Sequence, residues 1–315
     1  MTALTERMLQ LRQVPVSAKL SPPVLKIVAE QLRERTFAAG TMLFAQGEPM
    51  DGVLLLTEGS IDLVREGKPF GSLAAPQTVG FLAVLARSDA SFSAIAKTPI
   101  HAFELPVDVM TELYEDHFDL VVATLRYFAE RLTIDLGELP ESDLGVAPLE
   151  MDIVPNRPVD WVEKILCLRK TTGFAEANVH ALGGLAKRMQ EVQVPAGTTL
   201  WHIGERAERA FYILRGTIRC EAADGRVFRY GAGTGLGALE ALADRPRWFT
   251  ATVESDAVGL YGHTDRLLDL FEHEFRMAMD FITMLARAQV EILDQRAALG
   301  QQPLRAKIGR LRVGA

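Results

Sequence analysis

Cysteine is nearly absent, with two in 315 residues. That argues against a disulfide framework. Cys167, in a helical stretch, and Cys220, in a strand stretch, read as small buried hydrophobes. No run of 18 or more apolar residues occurs, so no membrane insertion is expected. The opening MTALTERMLQLRQ carries charges inside its apolar periodicity and lacks a signal peptide's apolar stretch, which predicts a cytoplasmic protein. Positive charge is in deficit. Thirty-four Lys and Arg stand against 41 Asp and Glu, a formal net charge of −7, which argues against bulk affinity for nucleic acid or an anionic membrane. Nucleophile motifs, a P-loop and a GxGxxG following a strand are all missing, so no enzyme is expected. The histidines, His101, His117, His180, His202, His263 and His273, show no zinc-ligand spacing, and no metal site is expected.

What is present is a duplication. Shifted by 157 residues, the chain lays Gly40 on Gly197, Gly47 on Gly204, Gly59 on Gly216 and Gly80 on Gly237 without a gap. Glu48 falls on Glu205, Ile61 on Ile218, Phe92 on Phe249 and Phe118 on Phe275. Glycine recurs where a backbone needs positive φ or close approach, so matched glycines imply matched turns. Each copy, at roughly 130 residues, is long enough to bury a core.

Each copy opens with helical signals. Ser21 is placed to cap a helix whose Val24, Leu25, Val28, Ala29 and Leu32 recur at helical spacing, matched by Leu182, Leu185, Ala186 and Met189. Short alternating stretches broken by glycines follow, predicting a small antiparallel sandwich or barrel. Helical period then returns. Leu113, Phe118, Val121, Val122, Leu125, Phe128 and Leu132 form one stripe; Leu270, Phe275, Met279, Ile282, Leu285 and Ile292 form the other. The second long helix is expected to run from about Glu272 to Leu299. The expected organisation is a first domain over 1–137, a linker over 138–160, a second domain over 161–299 and a basic tail over 300–315. The linker is rich in proline, with Leu149, Met151 and Ile153 as its ordering residues. The tail carries Arg305, Lys307, Arg310 and Arg312 and reads as a solvated or frayed terminus, with contact to an acidic partner as the alternative.

This order resembles the cyclic-nucleotide-binding domain of the catabolite activator protein family. The match lies in GEPMDGVLLLTEG at 47–59 and GERAERAFYILRG at 204–216. It implies a mainly β plus α fold: two tandem, jelly-roll-like antiparallel β-rolls, each flanked by N-terminal and C-terminal helices. It also implies a phosphate cassette. There a short helix offers backbone N–H groups to a cyclic phosphate, an arginine ten residues after a glycine pairs with it, and a glutamate accepts from the ribose hydroxyl. Family members that are transcription factors follow the long helix with a helix-turn-helix. Too little chain follows it here, so direct DNA binding is not expected.

The two cassettes differ. In VGFLAVLARSDASFSAIA, Gly80 keeps the glycine, Phe81 stands at the glutamate position and Ala90 at the arginine position, followed by Ser91. This pocket is degenerate, Arg87 lies three residues early, and Phe81 is expected to fill the old pocket as core. In LGALEALADRPRWFTATV, Gly237 and Arg247 are in register, with Pro246 before and Thr250 after. Ala238 replaces the glutamate. Glu240, two residues on, is expected to point about 200° away on a helix. The resemblance makes Gly237, Ala238, Leu239, Arg247, Trp248 and Thr250 the ligand-binding set. The alternative for Arg247 is a surface ion pair with an acid such as Asp244.

Two functions remain open. One is a regulatory sensor whose second domain takes a nucleotide-like anion, cyclic AMP or cyclic GMP, and signals through its long C-terminal helix. The other is a scaffold with two degenerate pockets. Val290, Ile292 and Leu293 have no counterpart to bury them, so a homodimer or a protein partner is expected there, with pairing inside one chain as the alternative.

Overall fold

A computed structural model of the chain describes residues 3–144, 157–170, 174 and 177–298. It divides into two compact units. One runs up to Thr124 and takes up the chain again from Ala286; the other is Leu125–Leu285. Leu149, Met151, Ile153, Leu299 and the basic residues Arg305, Lys307, Arg310 and Arg312 lie outside the described residues.

The first unit begins with helices α1 (Ala3–Arg12) and α2 (Pro22–Gln31). Ser21 is the N-cap residue of α2 but makes no side-chain capping bond; prolines at the first helical positions start the helix instead. Strands β1 (Arg33–Phe37), β2 (Met42–Phe44), β3 (Gly52–Glu58), β4 (Ser60–Arg65), β5 (Lys68–Ala74) and β6 (Gln77–Val79) follow. Helix α3 (Phe81–Ala86), strands β7 (Ser93–Ala96) and β8 (Ile100–Pro106) and helix α4 (Val107–Asp116) come next, before α5 (Phe118–Glu138). Two antiparallel sheets form, β1-β8-β3-β6 and β2-β7-β4-β5. Alternation divides each strand between two faces. Leu54 and Leu56 of β3 turn into the roll with Ile61, Leu63, Val79, Ala94 and Ala102, and Phe44, Phe70 and Phe92 pack against that core.

The second unit repeats the plan with α6 (Trp161–Arg169), α7 (Val179–Arg188), β9 (Gln190–Val194), β10 (Thr199–Trp201) and β11 (Arg209–Ala222). After them come β12 (Val227–Tyr230), β13 (Gly235–Leu236), α8 (Ala238–Ala243), β14 (Phe249–His263), α9 (Thr264–His273) and α10 (Phe275–Ala298). Here β11 and β14 run unbroken through register shifts, so six strands join one antiparallel sheet. Helix α6 starts with a reciprocal cap between Asp160 and Glu163, and α7 with the Asn178 side chain accepting from the Ala181 N–H at 2.8 Å. Cys167 and Cys220 are both free and buried, as expected. Burial pushes the Cys167 thiol up to about 11 and moves Cys220 in the same direction.

The matched glycines are matched turns. Gly40 and Gly197 have φ of 84° and 85°, Gly47 and Gly204 80° and 87°, Gly59 and Gly216 90° and 95°, and Gly80 and Gly237 90° and 76°. At Gly59 close approach adds to the positive φ, since a Cβ there would lie 2.3 Å from the Pro99 carbonyl oxygen.

The long helices differ from expectation. A break at Glu274 separates α9 from α10, so the second long helix starts at Phe275. Its distal turns do not present an exposed apolar stripe. Ala286 and Ile292 are buried and Val290 and Leu293 half-buried, in the unit that holds the first roll. Arg287 Nε donates to the Ala86 carbonyl at 2.9 Å, and Arg65 pairs with Asp294 at 2.7 Å. The distal part of α5 sits in the second unit. There Glu130 pairs with Arg245, and Arg226 donates to the carbonyls of Gly137 and Leu139. Ile292 is thus covered within the first unit, and Val290 and Leu293 are covered in part.

Candidate functional site

The second cassette is assembled from α8, the segment 245–248 that leads into β14, the start of β11 at Arg209 and the end of β10 at Trp201. Arg247 is 4% exposed, so it is not a surface arginine. Its Nη1 donates to the Gly237 carbonyl at 2.7 Å and its Nη2 to the Arg209 carbonyl at 2.5 Å. Its guanidinium carbon lies 4.2 Å from the centre of the Trp201 ring, a cation–π contact. Gly237 is required here twice over: its φ is +76°, and a Cβ would fall 2.2 Å from Arg247 Nη1.

The acid beside Arg247 is Glu240, with Oε2 at 3.8 Å from Nη1, and not Asp244. Glu240 was expected to point away from the pocket. It stands instead in the first turn of a six-residue helix capped by left-handed residues at both ends, and its carboxylate bends back toward its own backbone N–H. Asp244 supplies the left-handed C-cap at φ 52°, the role Arg87 plays at φ 50° after α3. Burial raises the Glu240 carboxyl above its ordinary value, with Arg247 opposing the shift; burial lowers Arg247, with Glu240 opposing.

Two buried donors in this site, Arg247 Nε and Trp201 Nε1, have no acceptor among the described residues. Leaving a buried donor unmet costs about 1–3 kcal/mol, so an acceptor brought to either is favoured. The other expected residues are structural in their contacts. Ala238 and Leu239 form the first turn of α8 and are half-buried. Trp248 stacks on Phe228 at 5.3 Å, and Thr250 Oγ1 accepts from the Ile203 N–H at 3.1 Å. Trp201 and Glu240 were missed as site residues. The 157-residue shift held a signal for Trp201, which falls on Phe44. The pairs Phe44–Phe92 and Trp201–Phe249 both have ring centres 5.9 Å apart, at interplanar angles of 52° and 56°.

In the first cassette Ala90 is buried and Ser91 half-buried, and Gly80 caps α3 at φ 90°. Phe81 does not fill the interior of the roll. It lines an apolar cavity with Val53, Leu55, Phe103 and Leu105, on the other face of the sheet, together with residues of α1, α2 and α4. Arg87 is exposed. Glu48 and Glu205 hold the Gly-Glu turns through their backbone carbonyls. Among the described residues no group of three or more His, Cys, Asp or Glu side chains is placed to hold a metal. No helix among them is long and apolar enough to cross a membrane.

Fold and cassette together define a protein of two tandem antiparallel β-rolls, each with a short helix set between its strands. The family model described as "cyclic nucleotide-binding domain" matches residues 34–117 and 191–274, more than half of the chain, and the chain belongs to that family. An uncharacterized NTE family protein of Mycobacterium tuberculosis is 27% identical over 129 residues, 41% of this chain and 22% of that protein's length. A counterpart in Mycobacterium bovis matches to the same extent, so the chain spans about a fifth of these relatives. Among solved structures, the regulatory subunit of a cAMP-independent protein kinase A from Trypanosoma cruzi bound to guanosine is 16% identical over 96% of this chain and 94% of that one, with a TM-score of 0.38. The N-terminal domain of a Streptomyces coelicolor transcriptional regulator is 23% identical over 41% of this chain and 95% of its own, also with a TM-score of 0.38.

Proposed function

We propose that this chain is a non-catalytic regulatory protein whose second repeat senses a nucleotide-like anion through Arg247, with cyclic AMP and cyclic GMP the ligands to test first. The observation that carries the reading is the pair of buried donors without acceptors, Arg247 Nε and Trp201 Nε1, at a cassette arginine kept in register. An anion is the acceptor such donors favour. With Ala238 at the glutamate position, the set suits a phosphate better than a ribose.

Ligand entry has to compete with what already holds Arg247: two carbonyls and Glu240. That competition is the proposed switch. Drawing the guanidinium off Gly237 would release α8, and Arg245, two residues before it, holds Glu130 of α5. In the second unit α5, rather than the C-terminal α10, is then the helix that reads the cassette and passes its state to a protein partner.

The satisfied Nη groups favour a second reading, a scaffold in which Arg247 is purely structural. Calorimetric titration of the full chain with cyclic AMP, cyclic GMP and phosphate separates the two. Saturable heat that disappears in Arg247→Ala supports the sensor. Absence of heat from all three at millimolar concentration leaves the scaffold.

A further inference from the structure

The first unit contains an apolar cavity of about 80 Å3 that shares Phe81 with the first cassette but lies away from the roll interior. It lies against the face of the β3–β8 sheet that points out of the roll. Val53, Leu55, Phe103 and Leu105 form its floor, while Leu54, Leu56 and Ala102 point the other way into the roll core. Residues of α1, α2, α4 and α5 close over it.

The polar atoms on its wall are largely spent. Tyr114 and Thr124 share a hydroxyl–hydroxyl hydrogen bond of 2.6 Å, and Ser17 Oγ donates to the Leu11 carbonyl at 2.6 Å. Burial pushes the Tyr114 phenol up to about 12, so it stays neutral. A cavity of this kind offers water few partners and favours a neutral apolar guest.

The fold does not require the space. At the 157-residue equivalents of Ser17, Leu55, Tyr114 and Thr124 the second repeat carries Phe174, Tyr212, Phe271 and Phe281. Three of these rings pack together, Phe281 lying 5.6 Å from Phe174 and 5.3 Å from Phe271. The Tyr212 hydroxyl is tied to the Cys167 carbonyl at 3.0 Å. The second repeat recovers some room through Ala238 and Gly262, at the equivalents of Phe81 and Leu105, but its helix-facing side is filled with aromatic rings. The first repeat keeps small side chains, Ser17 and Thr124, at two of those positions.

We propose that this cavity of the first repeat is a second ligand site, taking one neutral apolar group of about the size of a benzene ring or a short alkyl chain. It is reached past the half-buried Val16, Phe81 and Ala123. The site is independent of Arg247 and stands whether or not the second cassette binds an anion.

Benzene and 1-hexanol are the probes, titrated into the full-length protein with labelled Leu, Val and Met methyls. Saturable shifts confined to methyls around Leu20, Val28, Leu55 and Met110 are expected. Shifts spread evenly over both units, or absent at probe saturation in water, would overturn the proposal. Thr124→Phe, which installs the second repeat's residue, is expected to weaken binding at least tenfold, and Arg247→Ala to leave it unchanged. Should Thr124→Phe fail to fold, Ala123→Leu narrows the same space from the rim and is expected to act in the same direction. Undiminished affinity in a folded filling variant would also refute the site.

Discussion

Ala90 and Arg247 occupy one backbone position twice. The Ala90 N–H donates to the Glu48 carbonyl at 3.0 Å and its carbonyl accepts from Gly47 at 2.9 Å; Arg247 makes the same pair with Glu205 and Gly204, both at 2.8 Å. Only the side chain differs. The first repeat is therefore an internal control for what the arginine does.

Arg247→Ala is expected to destabilise the second unit, because it strands the buried Glu240. Breaking a buried pair by removing one partner costs about 3–5 kcal/mol, much of it from the charge left behind. The double variant Arg247→Ala/Glu240→Gln should recover a large part of the loss. Urea unfolding of the two variants, at matched slopes, measures it. Equal midpoints for single and double variants would show that Glu240 does not depend on Arg247.

The same pair sets a pH dependence. Burial raises the folded-state Glu240 carboxyl above its ordinary 4.5. A group raised on folding contributes its stability below the unfolded value and loses it as pH climbs through the folded one. Stability of the second unit should therefore fall as pH rises from about 4.5, against the usual acid-side loss. Glu240→Gln should flatten that component. Midpoints measured across the range in both proteins test the sign.

The reverse transplant, Ala90→Arg, is expected to damage the first roll without creating a site. Position 90 is buried, and the equivalents of Glu240 and Trp201 are Ala83 and Phe44. An unpaired guanidinium there costs several kcal/mol. Adding Ala83→Glu should restore part of the stability. Failure of that second change to help would mean Glu240 is not what makes Arg247 tolerable.

Much of this was readable from the chain, and the limits are physical. Turns were legible because a glycine at positive φ leaves one letter at one position, and four such letters repeated at a fixed shift. The register of Arg247 was legible because it stands ten residues after one of those glycines, Gly237. Glu240 was not, since a helical-wheel angle presumes a regular helix and α8 has six residues between left-handed caps. Phe81 was misplaced because an aromatic letter says it will be packed and not against which face of a sheet. The Arg245–Glu130 and Arg65–Asp294 pairs join residues far apart in sequence, where no local period reports them. Amphipathicity announced that the distal turns of α10 need cover. It carried no information on what covers them.

The cover of those turns gives the last expectation. Ile292 is 7% exposed, and the turns that carry it are tied down by Arg287 to the Ala86 carbonyl and by Asp294 to Arg65. If the stripe were a surface for a second copy, a charge on it would dissociate a dimer and leave each unit as stable as before. Because it is buried inside the first unit, Ile292→Asp should instead unfold that unit early. Removing the side chain alone is worth about 2–5 kcal/mol, and the unpaired carboxylate adds to it. Hydrogen exchange resolves the two outcomes segment by segment. Faster exchange in β3, β8 and α2, at unchanged mass by light scattering, is expected. A halved mass with unchanged exchange in the first unit would return the helix to the role of a dimer interface.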